Sequence, residues 1–222
     1  MRDGSIRVVP FGDAAVHVEL GGAAGIAAAR RARALATAIE AIRSEMPVLG
    51  VPVAAATSVL VPFDPRASVV DEVEARVRAA LVHVSVPADP PPDATVHELA
   101  VRYGGDDGPD LESVAEEAEL SADDVIELHA ATTYEVLFLG FAPGFAYLGE
   151  LATRLVVPRL ATPRPRVPAG SVAIAGSMTA VYPHALAGGW RLLGRTDARL
   201  FDPGSMPPAR LRPGDRVRFV PA

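Results

Sequence analysis

The amino-acid sequence predicts an α+β protein, with a small N-terminal α/β domain over residues 1–88 and a C-terminal β-barrel over residues 94–222. Helical and extended hydrophobic patterns alternate before residue 88, which is typical of an α/β unit. Beyond Glu135, short apolar runs such as EVLFL and SVAIA are separated by Pro and Gly turns, as in a barrel. Between the two patterns, Pro87–Asp93 contains four prolines within six residues and marks the expected boundary.

The N-terminal elements are expected in the order strand, helix, strand, strand, helix. They cover Ala15–Leu20, Ile26–Met46, Val51–Ala56, Ser58–Phe63 and a helix that begins at Ser68. In the first helix, Leu35 and Ile39 share one apolar face, and Pro47 ends the helix. Ser68 and Asp71 match a capping box at the start of the second helix. This order predicts a split βαβ arrangement.

The C-terminal domain begins with an alternating strand, Val96–Tyr103, which is followed by a turn-rich loop with the sequence GGDDGPD. Two short helices come next. Asp110 is placed to cap the first helix, and Ser121 with Asp124 forms a capping box for the second. The remaining elements are short strands, and LRPGDRVRFV closes the chain with a turn and an alternating strand.

Composition excludes several kinds of chemistry. All 21 basic residues among the 222 are arginine, so the chain has neither a Schiff-base lysine nor a Walker-type phosphate-binding lysine. The absence of cysteine excludes disulfides and cysteine-ligated zinc and favours a cytoplasmic location. No apolar run reaches the roughly 18 residues of a membrane span. The N-terminus lacks the apolar core of a signal peptide.

Charge is unevenly distributed along the chain. Residues 151–222 contain 11 arginines and 3 acidic residues, whereas residues 1–150 contain 10 arginines and 24 acidic residues. One interpretation is that the two halves attract each other or that the genome favours arginine codons. The other is an anion site for carboxylate or phosphate, since guanidinium groups suit bidentate contacts. Nucleic acid is not expected as a partner, because the net charge is −6.

Residues 140–196 are dense in glycine, proline and aromatic residues, which predicts repeated turns that bring the backbone close to a ligand. Four arginines among these turns are expected to converge on a cationic, aromatic-lined cleft: Arg159, Arg164, Arg166 and Arg195. The walls of this cleft are expected to come from Phe141, Gly144, Phe145, Gly189 and Trp190.

The motif GFAPGFAYLG, residues 140–149, is central to this prediction. Phe141, Phe145 and Tyr147 are an even number of positions apart, so an extended chain places their rings on one face. The PG pair between them fits the central positions of a type II turn. Two interpretations stay open: a core aromatic cluster, or the wall of a binding cleft that also includes the single tryptophan.

The five histidines show no metal-ligand spacing, so no metal is expected. They are His17, His83, His97, His129 and His184. His129 closes a helix, where a histidine often interacts only with the helix dipole. His184 lies in a turn beside the glycine pair and is expected either to reach the cleft or to be purely structural.

Taken together, these motifs are similar to those of one protein family. YGGDDGPDL, SADDVIELH, GFAPGFAYLG, PRPRVPAGSVAIAG, GGWRLLGRT and PGDRVRF cover nearly all of residues 96–220. The chain resembles the B subunit of bacterial 5-oxoprolinase, a family also described as KipI-like or allophanate hydrolase subunit 1-like. The resemblance implies a small N-terminal α/β domain and a C-terminal cyclophilin-like β-barrel. Residues before 96 resemble the family more weakly, in GDAAVHVEL and SVLVPFDP.

Three residues depart from the family pattern. Ala187 stands where proline is usual, and Met178 and Ala180 replace a glutamine and a glycine. If that glutamine contacts substrate in the family, the specificity of this chain differs.

The resemblance implies a component of an ATP-dependent enzyme that opens the lactam of 5-oxoproline to L-glutamate, working with separate A and C subunits. ATP is expected to activate the substrate by phosphoryl transfer, with its site in the shared complex. No catalytic residue is assigned by a motif. The four arginines are expected to bind anionic groups, Ser171 and Thr179 to donate hydrogen bonds to substrate, and Tyr182 to contact it.

Two other functions stay open. KipI-like proteins include inhibitors of a sporulation histidine kinase, a role that needs a protein-binding surface rather than turnover. Carboxyltransferase modules related to urea carboxylase share the barrel and transfer a carboxyl group from biotin.

Overall fold

The computed structural model describes residues 6–82, 84, 91 and 94–222. The chain folds into two compact units, Met1–Asp89 and Pro90–Ala222. Apart from Pro91, the boundary segment predicted at Pro87–Asp93 lies outside the described residues, as does His83. Over the described residues, no helix combines the length and apolar character needed to cross a membrane.

The N-terminal unit is a four-stranded antiparallel sheet with two helices. Its elements are β1 (Arg7–Pro10), β2 (Ala15–Glu19), α1 (Ile26–Ile42), β3 (Val53–Ala54), β4 (Ser58–Pro62) and α2 (Val70–Val82). The strand order is β1-β2-β4-β3. Since β4 is antiparallel to both β2 and β3, those two strands run parallel, with β4 between them and α1 connecting them. This is the split βαβ arrangement predicted from the sequence.

Alternation along the central strands of this sheet creates the core of the unit. Val16 and Val18 of β2 and Val59 and Val61 of β4 are fully buried. They pack in one cluster with apolar residues of both helices, including Leu35 of α1. Because successive side chains of a strand point to opposite faces, each strand contributes every second residue to this core.

Three details of the N-terminal unit differ from the prediction. β1 was not predicted, because a four-residue strand that ends in proline carries no detectable alternation. α1 ends at Ile42 rather than Met46, since the chain already tightens into turns before Pro47. The Ser68 hydroxyl donates to Glu72 at 2.9 Å, rather than pairing with Asp71 in a capping box.

The C-terminal unit is a closed seven-stranded barrel with two helices, as the α+β prediction required. The barrel strands are β5 (Val96–Tyr103), β6 (Thr133–Leu139), β7 (Ala146–Gly149), β9 (Ser171–Ala175), β10 (Met178–Val181), β12 (Arg191–Arg195) and β13 (Arg216–Pro221). Their order around the barrel is β10-β7-β6-β13-β5-β12-β9. β8 (Arg164–Val167) and β11 (Leu186–Gly188) form a separate two-stranded ribbon. Between β5 and β6 the chain forms α3 (Leu111–Ala118) and α4 (Ala122–Ala131).

Two hydrophobic clusters hold this unit together. The first contains inward-facing residues of the barrel strands, among them Val136, Leu148, Ile174, Leu193 and Phe219. The second joins residues of the ribbon to residues of β9, β10 and β12, among them Val167, Ala173, Ala180 and Leu192. Phe145 and Trp190, two of the aromatic residues predicted to wall a cleft, belong to this second cluster.

Of the two helix caps predicted in this unit, one is confirmed and the other is wrong. Ser121 and Asp124 form the predicted capping box at the start of α4, with a hydrogen bond of 3.1 Å in each direction. Asp110 occupies the N-cap position of α3, but its side chain makes no capping hydrogen bond. The prediction that the Asp110 side chain caps α3 is therefore wrong.

Candidate functional site

The turn in the motif GFAPGF positions the first aromatic residues of the site. The Phe145 amide donates to the Ala142 carbonyl at 3.0 Å, and Gly144 has a φ of 77°. This is the type II turn predicted for the central Pro143–Gly144 pair. A Cβ on Gly144 would also lie 2.6 Å from the Cβ of Phe201, so glycine is required by space as well as by φ. Gly144 therefore shapes the turn but does not line the pocket that the neighbouring rings form, contrary to the prediction that made it a wall of the cleft.

Aromatic side chains surround Phe145, which is 1% exposed. Edge-to-face contacts join its ring to those of Phe141, Tyr147, Tyr182 and Trp190, with centroid distances of 5.2, 5.0, 5.3 and 5.9 Å. Each contact of this kind contributes about 0.5–1.5 kcal/mol beyond the burial of area. Phe141 is 62% exposed, so the cluster reaches the surface. This aromatic cluster is therefore part of the hydrophobic core and also forms part of the protein surface.

These rings form one side of a pocket of about 210 Å³. The residues that line it are Phe141, Phe145, Tyr147, Arg159, Pro163, Tyr182, Ala187, Gly188, Gly189 and Trp190. A Cβ on Gly188 would come within 2.1 Å of the Tyr182 hydroxyl oxygen, so this position must be glycine. At Gly189 a Cβ would meet its nearest neighbour, Pro163, only at 3.5 Å. The first glycine of the pair therefore lets the backbone reach Tyr182.

Arg159 is the one charged residue among the described residues that line the pocket. Its guanidinium carbon lies 5.9 Å from the centre of the Trp190 ring, within the range of a cation–π interaction. Over residues 6–82, 84, 91 and 94–222, Arg159 forms no ion pair with a carboxylate. An unpaired guanidinium beside aromatic walls repels cationic ligands and favours a ligand that carries a carboxylate.

The other three arginines predicted for the cleft do not line this pocket. Arg164 donates from Nη2 to the Asp110 carboxylate at 2.7 Å. Arg195 donates from Nε to the Ala169 carbonyl at 3.1 Å. Arg166 lies exposed on β8. The structure therefore brings one of the four predicted arginines to the pocket, because two of the others are held by groups outside it.

The hydroxyl groups predicted to contact substrate occupy different places. Ser171 and Thr179 are buried in barrel strands and do not line the pocket. The Thr179 hydroxyl donates to the Ala173 carbonyl at 3.1 Å and accepts a hydrogen bond from His129 at 2.9 Å. Tyr182 does line the pocket, and burial raises the pKa of its hydroxyl, which therefore stays protonated as a donor.

His129 is a fully buried member of a hydrogen-bonded chain, which the helix-dipole interpretation missed. Its Nδ1 accepts from the Tyr103 hydroxyl at 2.7 Å, and its Nε2 donates to Thr179 at 2.9 Å. The ring also stacks on Phe219, with centroids 4.6 Å apart. Burial lowers the pKa of His129 to about 3, so the imidazole is neutral. The sequence carried one signal for this: His129 lies four residues after Val125, on the buried face of α4.

Comparison with known proteins places this fold in a family. The family model described as the carboxyltransferase domain, subdomain C and D, matches residues 6–211. The chain belongs to this carboxyltransferase-domain family.

Relatives with curated names agree with the resemblance seen in the motifs. The chain is 55% identical to the 5-oxoprolinase B subunit of Escherichia coli O157:H7 over 130 residues, which cover 59% of this chain and 60% of that protein. It is 52% identical to the 5-oxoprolinase B subunit of Bacillus subtilis strain 168 over 123 residues, or 55% of this chain and 51% of that protein. The matches thus span roughly half to three fifths of the relatives' length. The predicted resemblance to the 5-oxoprolinase B subunit is confirmed.

A solved structure shows the same architecture. The crystal structure of the protein TTHA0988 superimposes with a TM-score of 0.79 and 39% sequence identity. The match covers 94% of this chain but 40% of TTHA0988. The carboxyltransferase-domain fold of this chain therefore occurs in TTHA0988 as part of a longer polypeptide.

Among the three departures from the family pattern, one lies at the pocket itself. Ala187, which replaces a usual proline, lines the pocket, whereas Met178 and Ala180 lie on β10 outside it. His184 packs edge-on against Phe201, with ring centroids 5.5 Å apart, and does not line the pocket. In the part of the chain that the structure describes, no group of three or more His, Asp or Glu side chains is arranged to hold a metal ion.

Proposed function

We propose that this chain is the B component of an ATP-dependent 5-oxoprolinase, a cyclic-amide hydrolase that opens 5-oxoproline to L-glutamate together with A and C components. The observation that carries the proposal is the pocket, in which one unpaired guanidinium lies beside an aromatic cage. The names of relatives that are 55% and 52% identical to this chain over the matched residues point to the same substrate.

The proposed substrate matches the pocket in size and chemistry. 5-Oxoproline is a compact five-membered lactam with one carboxylate. The carboxylate pairs with Arg159, and the ring packs against Trp190 and Phe145, which present apolar faces and edges. The protonated Tyr182 hydroxyl is available to the lactam carbonyl as a hydrogen-bond donor.

The volume and lining of this pocket favour a smaller ligand than ATP. Drug-sized ligands and cofactors occupy about 300–1,000 Å³, whereas this pocket has a volume of about 210 Å³. The described lining contains no lysine and no carboxylate that would bind the phosphates or their magnesium ion. We therefore place the nucleotide outside this pocket, on a partner component.

The same lining supports the proposal that partner components are needed. None of its described residues is a histidine, aspartate, glutamate, lysine or cysteine, so the two tyrosines, Tyr147 and Tyr182, are the only titratable groups besides Arg159 that the described lining offers for acid–base chemistry. Lactam opening needs both an activated carbonyl and an attacking water. The presence of this fold within the longer TTHA0988 chain supports a partner that supplies further domains.

The proposal is tested by reconstitution. The chain is coexpressed with candidate A and C components, and glutamate formation from 5-oxoproline is measured with and without ATP. We expect ATP-dependent turnover that requires all three components. An assembled complex that fails to open 5-oxoproline contradicts the proposal. Inhibition of a histidine kinase without any turnover would instead favour the regulatory role.

The family match also favours a second candidate, carboxyl transfer from a biotin carrier. In that reaction the pocket would bind the carboxyl acceptor. Incubation of the complex with a carboxylated biotin carrier separates the two functions. Only a carboxyltransferase is expected to remove the carboxyl group from the carrier when an acceptor is present.

A further inference from the structure

The loop at residues 104–110, which has the sequence GGDDGPD, lies on β12 outside the pocket. The Gly104 amide donates to the Leu193 carbonyl at 3.0 Å, and the Asp110 amide donates to the Leu192 carbonyl at 3.0 Å. A Cβ on Gly108 would lie 2.0 Å from the Leu193 carbonyl oxygen. The loop therefore rests backbone against backbone on β12, and no side chain fits between them.

Both carboxylate oxygens of Asp110 are used in this contact. Oδ2 accepts from the Leu192 amide at 2.7 Å, and Oδ1 accepts from Nη2 of Arg164 at 2.7 Å. Asp110 is 6% exposed. Hydrogen bonds to ionised groups are about twice as strong as neutral ones, and burial strengthens them further. This explains why the side chain does not cap α3.

The two partners of Asp110 flank the pocket-lining segment Gly188–Trp190. Leu192 lies two residues after Trp190 on β12, at the place where the register of that strand shifts. Arg164 is the cross-strand partner of Gly188 in the ribbon of β8 and β11. One buried carboxylate therefore holds the Gly188–Trp190 segment at both ends, through the strand that follows it and through the ribbon strand that pairs with Gly188.

The loop also determines which arginines are available. Asp107 accepts from Nε of Arg102 at 2.9 Å and lies 3.9 Å from Arg195. Asp110 pairs with Arg164. Two of the four arginines predicted for the cleft, Arg164 and Arg195, are thus paired with the loop, whereas Arg159 lines the pocket.

We infer that Asp110 is a positioning residue, which holds the pocket-lining segment Gly188–Trp190 in place from both ends and thereby sets the affinity of the pocket for a small acid. The inference rests on the proposed function only for the identity of that acid. Among the described residues, the Asp110 side chain forms no hydrogen bond with a residue that lines the pocket. It acts through Leu192 and Arg164.

The test uses Trp190, which is the single tryptophan of the chain and therefore reports on the pocket alone. In Asp110→Asn, an amide oxygen still accepts from the Leu192 amide, but Arg164 loses its counter-charge. We expect Trp190 emission to shift to longer wavelength and acrylamide quenching to increase about twofold or more. The reason is that loss of the ion pair loosens the Gly188–Trp190 segment, so water reaches the indole ring. Asp107→Asn is the matched control, because Asp107 pairs with Arg102 and Arg195, and neither of these is the cross-strand partner of Gly188.

A second comparison separates positioning from general stability. In the double variant Asp110→Asn with Arg164→Gln, a neutral amide pair replaces the ion pair, and we expect quenching to return toward the wild-type value. In the assembled complex, Asp110→Asn is expected to raise the KM for 5-oxoproline about tenfold with little change in kcat, the sign of lost uniform binding. Should Asp110→Asn fail to fold, Arg164→Gln alone carries the test and is expected to increase quenching, because Asp110 then holds only β12.

Wild-type emission and quenching in folded Asp110→Asn would overturn the inference, and so would an equal change in Asp107→Asn. The fluorescence measurement needs no ligand. It therefore distinguishes a failure of the positioning role from a failure of the proposed enzymatic function, which only the reconstitution assay tests.

Discussion

At the scale of one residue, Phe141 lines the pocket in a strained backbone conformation. It is a non-glycine residue with a φ of 69°, and it is 62% exposed at the pocket. A left-handed conformation costs a bulky residue roughly 1–2 kcal/mol. A strained conformation at an exposed position is more easily explained by ligand contact than by stability.

Phe141→Gly tests this explanation. Relief of the strain offsets the lost ring contact with Phe145, so we expect the free energy of unfolding to change by less than about 1 kcal/mol. Affinity for the acid is expected to fall, because one wall is gone. Glu119→Gly is the matched control, since Glu119 also has a positive φ, 53°, but lies at the end of α3. Thermal denaturation and ligand titration of both variants give the answer; unchanged affinity in Phe141→Gly contradicts the explanation.

His129 makes the stability of the protein depend on pH. Its pKa is lowered by burial to about 3 in the folded chain, whereas an unfolded histidine titrates near 6.5. The folded state therefore holds this histidine neutral while the unfolded state takes up a proton, so stability is present above pH 6.5 and is lost as pH falls from 6.5 toward 3. The loss reaches at most about 1.4 kcal/mol per pH unit from this residue.

Denaturant unfolding at a series of pH values between about 4.5 and 7.5 measures that loss. His129→Gln, which cannot gain a proton, is expected to be less stable at the upper end of this range and to show a shallower decline. His97 is half-buried beside Asp215 and provides a comparison, as His97→Gln should leave the His129 contribution in place. Equal slopes in wild type and His129→Gln would contradict the buried neutral imidazole.

At the scale of elements, the ribbon of β8 and β11 packs against the pocket residue Tyr182, because Gly188 has no side chain to collide with the Tyr182 hydroxyl. A Cβ at Gly188 would lie 2.1 Å from that oxygen, whereas a Cβ at the following Gly189 has its nearest contact at 3.5 Å. Gly188→Ala is expected to destabilise the protein by about 1–3 kcal/mol, the usual cost of overpacking. Gly189→Ala should cost much less. Thermal melts of the two variants compare them directly, and a loss of stability in Gly188→Ala as small as that in Gly189→Ala would contradict the steric requirement for glycine at the first position.

Elements formed by neighbouring residues could be predicted from the sequence, and long-range partners could not. The capping box of Ser121 and Asp124 spans three positions, and its pattern is complete in the sequence. Asp110 instead pairs with Arg164, 54 residues away, and with Leu192, 82 residues away. One sequence shows that acids and arginines are present but not which of them meet. The four arginines were therefore all predicted for the cleft, although the loop at residues 104–110 holds Arg164.

At the scale of the whole molecule, the C-terminal unit supplies a rigid barrel and the segments beside it supply the pocket. Arg159 lies on the connection between β7 and β8, and the GFAPGF turn precedes β7, so these pocket residues lie on connections held by strands. This is the usual division between scaffold and site. The aromatic walls were predictable because their spacing and the glycine pair are local features. The identity of the free arginine depended on the packing of the complete unit.

The most direct test of the substrate assignment is the KM for 5-oxoproline of the reconstituted complex containing Arg159→Met, with Arg166→Met as the control. Methionine keeps much of the apolar stem of arginine but removes its charge. A charged hydrogen bond contributes about 1.5–3 kcal/mol, so we expect the KM to rise about ten- to hundredfold in Arg159→Met and to stay unchanged in Arg166→Met. A wild-type KM in Arg159→Met, or an equal rise in Arg166→Met, would contradict the assignment of this pocket to the substrate carboxylate.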